Sequence, residues 1–408
     1  MTLKSPDDLS PSQFSYDLPE ERIALFPAEK RDHSRLLIRK KNGSLDHDIF
    51  KNIATYLPED SHVYFNNSKV IPARLIFTKE TGSHIELLCL NPVEPCDYAL
   101  SLSATRSCIW ECMVGNLKRF RNGSLGMKLE VSGHNIMLKA EKISQAGNIA
   151  LIRFSWDNDA VSFAGVLSKA GQTPLPPYIK RDVTGPDREW YQTVYSKYDG
   201  SVAAPTAGLH FTEDVFGQLR NKCIHCHELT LHIGAGTFQP MKSKPVRNHI
   251  MHAEWFRVTT DLIHTLAEMD TRVTCVGTSS LRALESLYWL GVKIIETGDL
   301  LPDRLHIEQW EVYDLPGRYS MKQSFAAFRD WINKQDVNEL IASTKLMIIP
   351  GYEFRVADAL ITNFHQPQST LLLLIAAFIG ESWKDVYHFA LDHGFRFLSY
   401  GDSSLLFQ

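Results

Sequence analysis

The sequence lacks any hydrophobic run long enough to cross a membrane. Its most apolar stretch, LLLLIAAFIG at 371–380, falls well short of the ~20 residues that a spanning helix needs. The amino-terminal residues MTLKSPDDLSPSQF include acids and no apolar core, so they do not resemble a secretory signal. We therefore expect a cytoplasmic protein without a membrane partner.

The sequence also lacks a paired set of cysteines. Its seven cysteines are an odd number and are scattered, which argues against a disulfide framework. One cluster, Cys223-Ile224-His225-Cys226-His227, has the spacing of a haem-attachment motif or of half a zinc site. Because no second ligand pair follows at similar spacing, we interpret it as the start of a strand and expect no metal.

Strong net charge is absent as well. The formal charge is −4, which does not by itself announce a nucleic-acid partner, although a local basic patch can lie within a nearly neutral total. Lys118-Arg119-Phe120-Arg121 is such a patch, and interleaved basic and aromatic residues suit a phosphate backbone. A solvated loop is the commoner explanation of a charge run of this kind.

What is present indicates a soluble globular chain with two or three domains. Its 408 residues are 44% hydrophobic and 22% charged, which is ordinary for globular proteins. Between 62 and 155, short alternating runs separated by Gly, Asn and Ser predict an antiparallel β-barrel without helices. Strands alternating with helices in 1–61 and 156–408 predict an α/β main domain with a layered, largely parallel sheet around that insertion.

Two turns of small residues mark the stretch from Ser201 to Pro240. The first spans 203–208 and is followed by His210, and the second spans 234–237 and is preceded by His232. A helix over 213–221 and an alternating, strand-like run over 227–233 separate them. Glycine admits close approach of a ligand to backbone, and histidine titrates near neutral pH, so we expect both turns to face one cleft.

Further along the chain, the strand predicted at 272–276 runs into Gly277-Thr278-Ser279-Ser280 and a helix from Leu281 to about Leu290. Hydroxyl residues can cap that helix, and its free N–H groups can bind an anion. Arg282 and Glu285 lie on one face of it. Strands are also predicted at 345–349 and 359–364, the latter followed by an apolar helix capped by Ser369.

Eleven collinear motifs cover nearly the whole chain: NNSKVIPARL, PLPPYIKR, YQTVY, GSVAAPTAGLHFT, LTLHIGAGTFQP, HIMHAE, VGTSSLRALE, PGYEF, DALITNFH, STLLLLIAAF and RFLSYGD. Together they resemble the motifs of one family, the S-adenosylmethionine:tRNA ribosyltransferase-isomerases of queuosine biosynthesis. The resemblance implies an α/β domain with an inserted β-barrel, in agreement with the periodicity.

The resemblance implies a reaction between S-adenosylmethionine and tRNA. The ribosyl moiety is transferred to a 7-aminomethyl-7-deazaguanine base at the wobble position and isomerised, which gives epoxyqueuosine tRNA, adenine and methionine. S-adenosylmethionine is then a co-substrate, no bound cofactor or metal is implied, and we expect a monomer. A base must remove a proton beside the sulfonium, and adenine leaves more readily when protonated.

Several groups that titrate near pH 7 are needed for such chemistry, and the sequence leaves open which histidine is base and which is acid. The candidates in family-like motifs are His210, His232, His249 and His252, with carboxylate partners Glu254, Glu285 and Asp402. Arg282 or Arg74 is expected to hold the methionine carboxylate or a tRNA phosphate. The expected binding residues are Thr206, Gly208, Gly234, Gly236, Thr237, Thr278, Ser279 and Arg282.

In the same interpretation, tRNA approaches the mouth of that cleft along Lys180, Arg181, Lys118 and Arg119. Two features depart from the family pattern. Gln368 stands where the family has a lysine, and the segment 291–344 is longer than the usual connector, so it is a candidate lid, tRNA contact or partner surface. The alternatives are a catalytically silent RNA-binding paralogue and a metal or haem protein built on 223–232.

Overall fold

The structure is a computed structural model of the 408-residue chain, and it describes residues 5–79, 81–120, 123–234, 240–241, 245–301, 305–335 and 337–408. Its strands are β1 Arg35–Arg39, β2 Leu45–Ile49, β3 His62–Asn66, β4 Ser68–Val70, β5 Arg74–Thr78, β6 His84–Glu94, β7 Ser107–Gly115, β8 Ser124–Val131, β9 His134–Ala146, β10 Ile149–Ser155, β11 Gly171–Gln172, β12 Tyr198–Ser201, β13 His225–Leu231, β14 Glu254–Thr259, β15 Val273–Val276, β16 His306–Ile307, β17 Glu339–Thr344, β18 Ala359–Asn363 and β19 Ser403–Phe407.

The helices surround these strands, and a short 3-10 helix at Thr206–His210 bears on the site described below. The α-helices are α1 Ile53–Tyr56, α2 Tyr98–Ser103, α3 Phe163–Ala170, α4 Asp187–Trp190, α5 Glu213–Asn221, α6 Thr260–Glu268, α7 Thr278–Thr297, α8 Met321–Ile332, α9 Thr370–Ile379 and α10 Trp383–Asp392. In the described ranges, no helix is both long and apolar enough to cross a membrane.

One large mixed sheet organises the α/β part of the chain, with strand order β16-β17-β14-β13-β3-β15-β18-β19-β1-β2. The central neighbours β13, β3, β15 and β18 are parallel. The pairs β13–β14, β14–β17, β18–β19 and β1–β2 are antiparallel. The pairs β1–β19 and β16–β17 are parallel as well, so the sheet is mixed rather than largely parallel, with its run of consecutive parallel strands at the centre.

At its centre this sheet is buried on both faces, to which successive side chains of a strand point in alternation. On β3, Val63 and Phe65 pack into one hydrophobic cluster, whereas Tyr64 packs into the cluster on the opposite face. The same division separates Leu36 and Ile38 from Leu37 on β1. The large sheet is thus the middle layer between two apolar cores.

A second sheet is wholly antiparallel, with order β11-β5-β6-β7-β10-β9-β8. It curls so that β5 and β8 approach each other, without a ladder between them in the described residues, so the predicted barrel is a curled half-barrel sheet. The expected absence of helices from 62–155 is wrong, because α2 packs on this sheet through Tyr98 and Leu102. The predicted span of 62–155 includes β3, which pairs in the large sheet, and leaves out α3 and β11, which pack and pair with the second sheet. The strand pairings favour limits nearer 74–172.

The described residues of the segment 291–344, a candidate lid, tRNA contact or partner surface, contribute to the main core. Its helix α8 packs against α6 and α7 through the buried side chains Phe325, Phe328 and Trp331. The segment also contributes β17 to the large sheet, paired with β14. Residues 346–349 of the predicted strand at 345–349 are buried but form no strand, although the amides of Lys345 and Met347 donate to the carbonyl oxygens of Ile307 and Gln309; the strand lies earlier, at β17.

Close packing of α7 on α8 gives a test of this placement. A Cβ built on Gly291 would lie 2.2 Å from Ser324 Oγ and 2.4 Å from the Ser324 carbonyl oxygen. We expect Gly291→Ala to lower the free energy of unfolding by about 1–3 kcal/mol through overpacking. Gly217 in α5 is the matched control, because the nearest atom to its added Cβ is Arg220 Nη2 at 3.9 Å.

For Gly217→Ala, helix propensity alone predicts a change of at most ~1 kcal/mol in the stabilising direction. Urea denaturation followed by circular dichroism measures both variants. Equal stability of the Gly291 and Gly217 variants would contradict the packing of α8 on α7.

Candidate functional site

A cavity lies beyond the carboxyl ends of two neighbouring parallel strands, β15 and β18. Their register pairs Val276 with Ile361, so both chains leave the sheet at the same edge. Ligands of open α/β sheets bind in this position. We call this cavity the inner cavity; it is bounded by 203–207, 276–280, 362–366 and Ser399, with Tyr178 from the proline-rich segment.

Gly277 turns the chain from β15 into α7. Its φ of 88° is a conformation that side-chain-bearing residues rarely adopt, so a glycine is required there. No side chain in the described part of the chain caps α7. The first-turn residues Thr278, Ser279 and Ser280 all border the inner cavity. The helix N-terminus therefore presents a positive dipole and three hydroxyl residues to a ligand.

The inner cavity is small and uncharged. Its volume is about 70 Å³, below the ~300–1,000 Å³ of typical small-molecule pockets, so it accepts part of a nucleoside-sized ligand. Among the described residues that border it, none carries an Asp, Glu, Lys or Arg side chain. Burying an ionised group without a partner is costly, so the cavity suits a neutral part of a ligand.

Asn363, the last residue of β18, connects the inner cavity to His210. Its Nδ2 donates to the Leu398 carbonyl oxygen at 3.3 Å and lies 3.2 Å from His210 Nε2. On the other side of the His210 ring, Nδ1 lies 2.8 Å from Ser34 Oγ. Burial, with the positive charges of Arg396 and Arg31, lowers the pKa of His210 to about 3. His210 is therefore neutral at pH 7.

His365 borders the inner cavity directly, although the sequence reasoning did not select it. Its Nε2 lies 2.9 Å from Thr362 Oγ1, and burial lowers its pKa to about 3. Asn363 was missed in the same way. One feature of the sequence indicated both residues. The tetrapeptide Thr362-Asn363-Phe364-His365 follows three apolar residues at the end of a strand.

Of the predicted binding residues, the structure brings Thr206, Thr278 and Ser279 together around the inner cavity. Gly236 and Thr237 lie outside the described residues, and Gly234 follows Ile233, which borders the cavity. Gly208 serves packing, because a Cβ there would lie 1.9 Å from Tyr195 Oη. The first small-residue turn thus contributes Thr206 and its neighbours to the cavity border rather than its glycine, Gly208.

His210 and His232, expected to face one cleft, border different cavities. His210 borders a small cavity with Arg31 and Tyr400, and His232 borders another with Arg257. The His232 ring stacks on Tyr98 at 4.2 Å between centroids and packs against Gly200. Burial and the positive charge of Arg257 lower the pKa of His232 to about 4. Neither histidine titrates near pH 7.

His249 and His252 lie near the surface, away from the residues that border the inner cavity. His252 is exposed, and His249 is half-buried with its backbone oxygen accepting from Gln309 Nε2 at 2.6 Å. Burial and the neighbouring His252 lower the pKa of His249. The sequence placed His249 and His252 in one candidate site with His210 and His232, but the fold does not bring the four histidines to one cavity.

Glu254 and Arg282 form a buried ion pair with each other. Arg282 Nη1 donates to Glu254 Oε2 at 3.0 Å, and Arg282 Nε donates to the Leu346 carbonyl oxygen at 3.1 Å. Both side chains are less than a tenth exposed. The pair joins α7 to β14, and Arg282 does not border the inner cavity, while its Nη2 is buried without a hydrogen-bond partner among the described residues. Its contact with a ligand carboxylate stays a prediction.

The other two predicted carboxylates, Glu285 and Asp402, hold turns of the backbone. Glu285 accepts from Tyr352 Oη at 2.8 Å and from the amide groups of 355–357 at 2.9–3.2 Å. Asp402 accepts from the amides of Arg35 at 3.0 Å and Arg396 at 2.8 Å. Burial raises the pKa of Glu285 despite these donors. Both carboxylates therefore accept hydrogen bonds from the protein itself and stabilise its backbone.

The Cys223–His227 cluster opens β13, as predicted. Cys223 and Cys226 are exposed, and His227 Nε2 lies 2.8 Å from His62 Nδ1 on β3. Burial and the neighbouring histidines lower the pKa of His227 to about 4. Within the described ranges, no three His, Cys, Asp or Glu side chains converge as metal ligands.

A second, larger cavity of about 640 Å³ lies between the proline-rich segment and the second sheet, and we call it the outer cleft. The described residues that border it include Arg74, Glu86, Lys180 and 174–177. Tyr178 borders the inner cavity from the same segment, and its Oη lies 2.6 Å from Ser399 Oγ. The two cavities therefore lie on either side of the proline-rich segment.

The basic residues expected to guide tRNA differ in their exposure and in the partners that they already contact. Arg181 is largely buried, paired with Asp187 at 2.6 Å and stacked 4.3 Å above the Phe26 ring, so it stabilises the proline-rich segment instead. Arg74 donates to Glu86 at 2.8 and 2.9 Å. Lys180 is exposed but its Nζ donates to Glu20 Oε1 at 2.5 Å. Lys118 is exposed, as is Arg119, whose Nη1 lies 3.1 Å from Ser83 Oγ, while Arg121 lies outside the described residues.

Comparison with known proteins places the chain in a family of enzymes that act in the biosynthesis of a modified nucleoside. A model of this family, described as queuosine biosynthesis protein, matches residues 11–406, and the chain belongs to it. Two curated relatives, from Thermoanaerobacter sp. (strain X514) and Caldanaerobacter subterraneus subsp. tengcongensis, are named S-adenosylmethionine:tRNA ribosyltransferase-isomerase. Each is 36% identical over 97% of this chain and 99% of its own length.

A solved structure of S-adenosylmethionine tRNA ribosyltransferase from Thermotoga maritima is also similar. It is 26% identical, covers 97% of this chain and 100% of that chain, and superposes with a TM-score of 0.46.

The structural placement of Glu285 gives a test. Removing a buried acceptor leaves Tyr352 Oη and the amides of 355–357 without their partner, so we expect Glu285→Ala to lower the free energy of unfolding by about 3–5 kcal/mol. Glu268→Ala is the control, because Glu268 is exposed at the end of α6 and should change stability by at most ~0.5 kcal/mol. Chemical denaturation measures both. A stable but inactive Glu285 variant would return Glu285 to the catalytic candidates.

Proposed function

We propose that this chain is an S-adenosylmethionine-dependent tRNA ribosyltransferase-isomerase. The observation that carries the proposal is the match to two relatives of that name over 97% of this chain and 99% of theirs. The cavity at the carboxyl ends of β15 and β18 supports it, because residues from seven of the family-like motifs border one space.

The proposed reaction transfers the ribosyl moiety of S-adenosylmethionine to the aminomethyl nitrogen of a 7-aminomethyl-7-deazaguanine base in tRNA. Adenine leaves from the ribose and methionine leaves as the sulfonium bond breaks, and the isomerised product is epoxyqueuosine tRNA. The sulfonium acidifies the adjacent carbon, so the reaction needs a positioned base and no redox partner. We propose no bound cofactor or metal, with S-adenosylmethionine as co-substrate.

In this proposal the two cavities hold different parts of the substrates. The neutral inner cavity takes a ring of S-adenosylmethionine, and the outer cleft takes the modified nucleotide. Lys180 at the border of the outer cleft is exposed and can contact phosphate. In this proposal Tyr178 lies between the two spaces, and the reacting atoms of the two ligands meet beside it. The cytoplasmic location and the monomeric state stay predictions.

The low pKa values of the buried histidines limit which of them can act as the base or the acid of the proposed reaction. Burial lowers the pKa of both His210 and His365 to about 3, so at pH 7 each ring is neutral. Its one N–H can donate a hydrogen bond and its other nitrogen can accept a hydrogen bond or a proton, but neither ring is an imidazolium that could act as a general acid. Of the two, only His365 borders the inner cavity, which makes it the better candidate for the base. Protonation of the leaving adenine then falls to another group or to water.

The function is tested by incubating the protein with S-adenosylmethionine and tRNA that carries the 7-aminomethyl-7-deazaguanine base. We expect adenine and methionine in equal amounts, with epoxyqueuosine in the digested tRNA by mass spectrometry. tRNA that carries unmodified guanine is the control and should release neither product. Binding of tRNA without release of adenine would favour the silent RNA-binding paralogue instead.

A further inference from the structure

Asn363 presents a hydrogen-bond acceptor in the inner cavity that no group in the described residues satisfies. Asn363 is 3% exposed and borders the cavity, and its Oδ1 is buried without a hydrogen-bond partner. Buried amide oxygens are nearly always paired in native proteins. An unpaired one at the border of a cavity therefore indicates a ligand that donates an N–H or O–H group.

The orientation of the Asn363 amide follows from its neighbours. A backbone carbonyl can only accept, so the amide atom facing the Leu398 oxygen at 3.3 Å must be the NH₂ group. The same NH₂ group meets His210 Nε2 at 3.2 Å, which requires that nitrogen to be unprotonated. Nδ1 of His210 then carries the proton and donates to Ser34 Oγ at 2.8 Å. This chain of partners leaves Oδ1 as the free atom.

The surroundings define the chemistry of the donor. An ammonium group buried in the inner cavity would need a carboxylate, and the described residues at its border include none. A neutral exocyclic amino group of a heterocycle meets the same acceptor without that cost. Ser280 Oγ borders the cavity and is also buried without a partner among the described residues, so a hydroxyl is available for a ring nitrogen.

We propose that Asn363 recognises the 6-amino group of the adenine ring of S-adenosylmethionine and that His210 is a positioning residue for the Asn363 amide. The inference rests on the proposed function for the identity of the ligand. It gives His210 a role without proton transfer: its neutral ring holds the Asn363 NH₂ group so that Oδ1 stays directed at the ligand. The deazaguanine base of tRNA also has an exocyclic amino group, so the experiment must separate the two sources.

Two stable ligands that differ at position 6 of the purine ring test the contact with the 6-amino group. S-adenosylhomocysteine carries the 6-amino group, S-inosylhomocysteine carries an oxygen there, and neither undergoes the reaction. We expect the wild-type protein, by isothermal titration calorimetry without tRNA, to bind the adenosyl compound about 10–100-fold more tightly. In Asn363→Leu, whose side chain has a similar size, the two dissociation constants should agree within about 3-fold.

Control variants separate recognition from folding. Asn221→Leu, at an exposed position at the end of α5, should keep the wild-type ratio. His210→Leu should reduce the ratio because the amide loses a partner, and His210→Gln should restore it, because a carboxamide oxygen can accept from Asn363 Nδ2. Circular dichroism establishes the fold of each variant, and Asn363→Ser replaces Asn363→Leu if the latter does not fold.

Each outcome bears on the proposal. A wild-type ratio below about 3-fold overturns it without any variant, as does a folded Asn363 variant that keeps the full ratio. Loss of tRNA affinity in that variant, with the nucleoside ratio unchanged, would assign the acceptor to the tRNA base and overturn the assignment to adenine. A failure of the proposed function is distinguishable, since it would appear as wild-type protein that releases no adenine from S-adenosylmethionine and tRNA.

Discussion

The parallel pairing of β15 with β18 is the constraint on which the proposed site depends. Because parallel strands end at the same edge, Thr278 and Asn363, 85 positions apart in the chain, border one cavity. The conformation of Gly277 then starts α7 at that edge and brings its hydroxyl residues to the cavity. The site is thus a consequence of strand order rather than of any local motif.

Burial of polar groups explains why several motif residues are structural. Glu285, Asp402 and the Glu254–Arg282 pair each satisfy buried donors or charges, and their loss would leave those groups unpaired. Their pattern along the chain is the same as that of ligand-binding residues, because both need polar side chains inside the protein. Only the position of the side chain, towards a cavity or towards a turn, separates the two roles.

The sequence predicted local elements well where periodicity and capping agree. Helix α5 has the predicted bounds, and Ser369 caps α9 by accepting from the Leu372 amide. Long-range pairing was harder, because period-2 alternation does not say which sheet a strand joins; β3 was therefore assigned to the wrong sheet. The same limit put His210 and His232 in one cleft, since closeness in sequence does not determine the direction of a side chain.

The most direct test of the central claim is a crystal structure of the protein with S-adenosylmethionine. The account predicts the purine ring in the inner cavity, with its 6-amino group within hydrogen-bond distance of Asn363 Oδ1 and beside the N-terminus of α7. A purine ring found in the cavity bordered by His232 and Arg257, or in the outer cleft, would contradict it.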